Sequence, residues 1–216
     1  MPLLGQTVRV PFVGCASDGQ AGPVETPRGV DVAVPIAQHA AQRLAYYKAS
    51  SGSGVLAPRG WECFLLYGSD GSYLLVSSRI LDFTGPAVLV RNIFGQGSGS
   101  FEVAQVISTA FPARRATMQE VIKEGKEAGL KFGPYPKDRL IVRSERIVEY
   151  KTPANSEGLG TTGTLQMSND PIAGVAILQG STPDLIFLGV RLPQELRDLA
   201  PIIIHQLERE SAKLVP

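Results

Sequence analysis

The chain carries two cysteines, Cys15 and Cys63, and no others. Two thiols can pair in only one way, and that pairing constrains the fold more than any other feature. It would tie the end of the first extended segment to an apolar strand at residues 61–67. Closing so long a loop restrains the unfolded chain by about 4 kcal/mol, less any strain in the bridge. Disulfides persist in oxidising compartments, so the pairing predicts a periplasmic or secreted protein. The competing reading is a cytoplasmic protein with two reduced cysteines buried as small hydrophobes.

Residues 1–6 read as a flexible N-terminus. Leu3-Leu4-Gly5-Gln6 fits the tail of a signal peptide, although a basic n-region and an apolar h-region are missing. Residues 7–216 are expected to form a single domain, because halves of a 216-residue chain would each bury proportionately less surface. Hydrophobic residues make up 44% and charged residues 19%, a balance that supports a packed core and argues against disorder. The net charge is +1 without a long run of either sign, so a nucleic-acid partner is not expected. Apolar runs are strand-sized, so a membrane span is not expected either.

Thr7 to Gly14 alternates as a strand, with Pro11 placing it at an edge or an end. Ala16 to Gly29, with three glycines and two prolines, reads as a long loop. Ile36, Ala40, Leu44 and Tyr47 predict a helix over 34–48. Strands at 61–67 and 73–77 flank Asp70-Gly71, a pair suited to a tight type I′ turn. Consecutive apolar residues in both strands (Phe64 to Leu66, Leu74 to Val76) predict that both faces are covered. Further along come a strand at 87–94, a helix at 101–111 and a helix opened by the capping box Thr117 to Glu120. A long strand at 140–151 and a polar loop at 152–163 follow.

The end of the chain reads strand (172–178), turn, strand (185–192), then a helix opened by Pro193 that Pro201 should kink or split. The pattern is α+β, an antiparallel or mixed β-sheet with helices packed on it. The closing strand, strand, helix arrangement is similar to sandwich domains of the PsbP type. The resemblance spans some forty residues, rests on shape, and implies nothing about a site.

Gly-x-Ser-x-Gly, His-Glu-x-x-His, a Walker lysine loop and Cys-x-x-Cys are all missing, so no cofactor is expected. His39 and His205, the two histidines, both read as surface residues. Cys15, Cys63, His39 and His205 lack the close spacing that preorganises zinc ligands, so no metal is expected. Gly97, Ser98, Gly99 and Ser100 lie between a strand and a helix, where free backbone N–H groups attract anions, but without a lysine. Asp18, Glu25 and Arg28 in the first loop, Asn155 and Glu157 in the later one, and Trp61 beside Cys63 are the candidate ligand-binding residues. The best expectation is an exported soluble binding or accessory domain for an unknown small molecule or protein. The alternatives are a small hydrolase using loop carboxylates, and a partner or inhibitor protein acting through its surface.

Overall fold

Thr7 to Gly19 is extended almost throughout, yet it enters three different sheets. Pro11 has no N–H to give a neighbour and breaks the run once; Cys15 breaks it again. β1 (Thr7–Val10) pairs antiparallel with β4 (Val32–Pro35). β2 (Phe12–Gly14) runs parallel to β5 (Leu44–Lys48), which also pairs with β6 (Val55–Pro58). β3 (Ala16–Gly19) runs parallel to β7 (Glu62–Gly68) at the edge of the main sheet. The structure, a computed structural model, describes residues 7–180 and 183–212, so the flexible start expected at 1–6 lies outside the described residues.

Beyond β7 come β8 (Gly71–Ser77), β9 (Ala87–Ile93), α2 (Ser100–Ala110) and α3 (Gln119–Glu127), α1 being the single turn Gln38–Ala41. The chain continues through β10 (Arg139–Ser144), β11 (Ile147–Thr152), β12 (Ile172–Gln179), β13 (Asp184–Arg191) and α4 (Ala200–Ala212). Eight strands form one sheet in the order β10-β11-β12-β13-β9-β8-β7-β3, antiparallel except for β3 against β7. Successive residues of a strand face opposite ways, and both faces of the central strands β8, β9, β13 and β12 are covered. Leu74, Val88, Val90, Val175, Ile186 and Leu188 meet α4 and the small sheet of β2, β5 and β6. Leu75, Leu89, Tyr150, Ala176, Leu178 and Phe187 meet α2 and α3. The fold is α+β with a mixed sheet, as the pattern of strands and helices implied. The apolar run of β8 is covered on both faces as expected, but in β7 Leu66 is 45% exposed, so one face of that strand is only partly covered.

Cys15 and Cys63 are joined, with their Cα atoms 5.3 Å apart. Cys15 is fully buried at the step from β2 to β3, so the bond fastens the crossing between small and large sheet to β7.

Four local expectations are corrected. The helix over 34–48 is replaced by β4, the single turn α1 and β5. The stripe of Ile36, Ala40, Leu44 and Tyr47 is buried, but β5 sits between β2 and β6 beneath α4, where both of its faces need apolar side chains. The long strand at 140–151 is a hairpin, β10 and β11, whose turn is set by Arg146 N donating to Ser144 Oγ (3.2 Å). Thr117 forms no capping box: its hydroxyl donates to the Arg114 carbonyl (2.7 Å), and residues 112–118 make a 3-10 helix before α3. In the β7–β8 turn, Gly68 faces Gly71 across Ser69-Asp70, neither of which has positive φ, so the turn is not type I′. Gly71 is needed instead for close approach, since a Cβ there would stand 1.9 Å from the Asn92 carbonyl oxygen. Pro201 does divide the last helix: a 3-10 stretch (Gln194–Leu199) precedes α4.

Candidate functional site

Antiparallel register decides which side chains of the β10–β12 end look toward α4. Ile141 faces Glu149, Glu149 faces Val175, and Lys151 faces Ala173; cross-strand partners share a face. Val175 belongs to the core layer under α4, so Ile141, Glu149 and Lys151 lie on that side as well. Ala200, Pro201, Ile204 and His205 follow helical spacing on α4 and form the opposite wall. Between them opens a cleft of about 380 Å³, within the size range of small-molecule sites.

The floor of the cleft is aliphatic, from Ala173, Val190, Leu192 and Ile204, and its mouth is charged. Arg143 Nε bonds Glu149 Oε1. Arg197 Nη2 lies 2.5 Å from Asp170 Oδ1, and its Nε donates to the Leu192 carbonyl (3.4 Å). Lys151, exposed on β11, has no carboxylate partner among the described residues. His205 Nε2 stands 3.8 Å from Glu149 Oε1. Beside them burial, reinforced by the charge of Glu149, pushes the Glu208 carboxyl above its ordinary value. The arrangement offers apolar burial to one part of a ligand and positive charge to another.

The residues singled out from sequence lie elsewhere. Asp18 is exposed on β3 and accepts from the Gly19 amide (2.7 Å), so the first loop begins as a strand. Glu25 and Arg28 are exposed in the irregular part of that loop. The loop is tied down by a Ser17–Val24 bridge and by Tyr67 Oη donating to the Gly22 carbonyl (2.5 Å). Trp61 is half-buried against the α4-side core, with its backbone N–H donating to Tyr47 Oη (3.2 Å). Asn155 holds a positive φ of 50°, and its amide donates to the Ser168 carbonyl. Glu157 is exposed and paired with Lys131 (2.9 Å).

β3 and β11, from which the two loops leave, are six strand spacings apart in the sheet, about 29 Å. The loops therefore do not make one surface, and their carboxylates are not brought together. Gly97 to Gly99 form a 3-10 turn into α2, with Ser98 exposed and Ser100 Oγ donating to the Gly97 carbonyl (2.7 Å). Glu102, in the first turn of α2, already brings a negative charge to the end of the helix that attracts anions.

Reasoning from sequence missed Arg143, Glu149, Lys151 and Arg197. The signal for the first three was present: charged residues recur at odd positions from 139 to 151, one face of an extended segment. His205 was placed correctly as exposed, but its neighbour Glu149 comes from another strand. Comparison of the chain with protein-family models, with curated proteins and with solved structures finds no match to any of them.

Proposed function

We propose that the chain is an exported binding domain, periplasmic or secreted, that takes a small amphipathic anion into the cleft between α4 and the β10–β12 end of the sheet. The observation that carries this reading is an aliphatic floor under a mouth at which, among the described residues, the cation Lys151 has no carboxylate partner. An alkyl or ring portion would lie against Ala173, Val190 and Ile204, and an acidic head would approach Lys151. Burial of a few methylenes at about 0.8 kcal/mol each, with one partly solvated charge contact, corresponds to micromolar rather than nanomolar binding. Export is supported by the Cys15–Cys63 bond, which a reducing cytoplasm would not maintain.

Calorimetric titration of the purified chain with decanoate tests the reading. Saturable one-to-one binding is expected, weakened by about tenfold in Lys151→Glu, whose side chain is exposed and whose fold should persist. Dodecyltrimethylammonium, with the opposite head charge, should bind the variant better than the unaltered chain. Absence of saturable decanoate binding, or equal binding by both proteins, would overturn it.

A further inference from the structure

At the edge of the cleft, facing α4, three side chains of metal-ligating type converge from two elements. His205 and Glu208 lie on α4 three residues apart, and so on one side of the helix. Glu149 reaches them from β11. One ligand atom from each, an imidazole nitrogen and two carboxylate oxygens, falls within 4.8 Å of the others.

Their present partners do not account for the arrangement. Arg143 occupies Glu149 Oε1 and leaves the other oxygen of that carboxylate free of hydrogen bonds among the described residues. Glu208 Oε1 is buried with no hydrogen-bond partner. A buried carboxylate oxygen without a donor, beside a second carboxylate, is an arrangement that a cation relieves. The only positive group among the described residues that directly contacts the cluster is Arg143, bonded to Glu149 and 47% exposed, and its charge does not bring the Glu208 carboxyl back to its ordinary value.

We propose that Glu149, His205 and Glu208 form a binding site for a divalent transition metal of the zinc type. One imidazole nitrogen and two carboxylate oxygens suit zinc or its neighbours in the first row better than magnesium or calcium, which take oxygen ligands. Three protein ligands leave a fourth tetrahedral position for water or for an oxygen of a bound molecule. Ligand atoms around zinc stand about 3.4 Å apart when each metal–ligand bond is near 2.1 Å, so the cluster must contract by at most about 1.4 Å. His205, about half exposed, has the rotamer freedom to do so. The site stands on these three residues and does not depend on what enters the cleft.

The test is calorimetric titration of the chelator-treated chain with zinc chloride at neutral pH, together with the visible spectrum of the cobalt-loaded protein. One zinc per chain is expected, with the intense visible bands of tetrahedral cobalt. His205→Ala and Glu208→Gln, at exposed and half-buried positions, should each weaken binding by at least about tenfold. His39→Ala, at the other histidine, should leave it unchanged. Failure of the unaltered chain to bind zinc, or equal binding by the unaltered chain and His205→Ala, would overturn the proposal.

Discussion

Arg91, 2% exposed on β9, forms an ion pair with Glu102 in the first turn of α2 and thereby fixes that helix to the sheet. Its guanidinium lies over the rings of Tyr73 and Phe187, 5.3 and 5.8 Å from their centroids, and Nη1 donates to the Thr162 carbonyl (3.1 Å). Glu102 is its only carboxylate partner among the described residues.

Removing that partner leaves a buried cation compensated only by the more distant charge of Asp70. Glu102→Gln should lower stability by about 2 to 3 kcal/mol, less than for a fully buried pair because Glu102 is 32% exposed. Arg91→Met together with Glu102→Gln should recover part of the loss, because the charge goes with its partner. Urea unfolding of Glu102→Gln, Arg91→Met and the double variant measures the coupling, and a double loss equal to the sum of the two single losses would mean that the pair carries no net coupling.

The Cys15–Cys63 bond should make alkylation of the native chain depend on reductant. Without reductant, even in denaturant, neither thiol should take up label; with it, both should, as read by mass. Cys15→Ala with Cys63→Ala should lose about 2 to 4 kcal/mol, because the unfolded chain regains the freedom of the long loop. Label on both thiols of the unreduced protein would exclude the bond.

Gly71 and Gly97 both adopt positive φ, 137° and 59°, yet they should respond differently to alanine. At Gly97 no atom lies within 4 Å of the added Cβ, so only backbone strain opposes it, about 1 kcal/mol. At Gly71 the new carbon would stand 1.9 Å from the Asn92 carbonyl oxygen in the neighbouring strand. Gly71→Ala should therefore lose more than about 3 kcal/mol or fail to accumulate folded. Similar unfolding midpoints for the two variants would contradict the packing at Gly71.

How far the fold could be read along the chain follows from how local its signals are. β7, β8, β9, β12 and β13 are short apolar runs with their own turns, and each was legible within a residue or two. The segment over 34–48 was not. Leu44 and Tyr47 satisfy a helical stripe as well as a doubly covered strand, and only the pairing of β5 with β2 and β6 decides between them. The cleft was still less legible. Glu149 and His205 meet because β11 pairs with β12 and α4 packs across β12, a relation spread over more than fifty residues. Loops 16–29 and 152–163 looked alike in composition, but strand order, which composition does not encode, sets them near opposite edges of the sheet.

Glu208 should make stability depend on pH in a defined direction. Burial, and then the charge of Glu149, raise its carboxyl above the unfolded value of about 4.3. Between the unfolded and folded values the native state binds more protons than the unfolded chain, so unfolding free energy falls as pH rises. The contribution is fully present below about pH 4.3 and is lost as the pH passes the raised folded value. Other acids titrate in the same range, so the measurement is the difference between the unaltered chain and Glu208→Gln, each with chelator present. Near pH 4 the two should unfold at similar urea concentrations; near pH 8 the variant should be the more stable, because its neutral amide is not subject to the charge penalty. A difference that is constant with pH, or that favours the unaltered chain at alkaline pH, would show that the Glu208 charge is not held at a disadvantage in the fold.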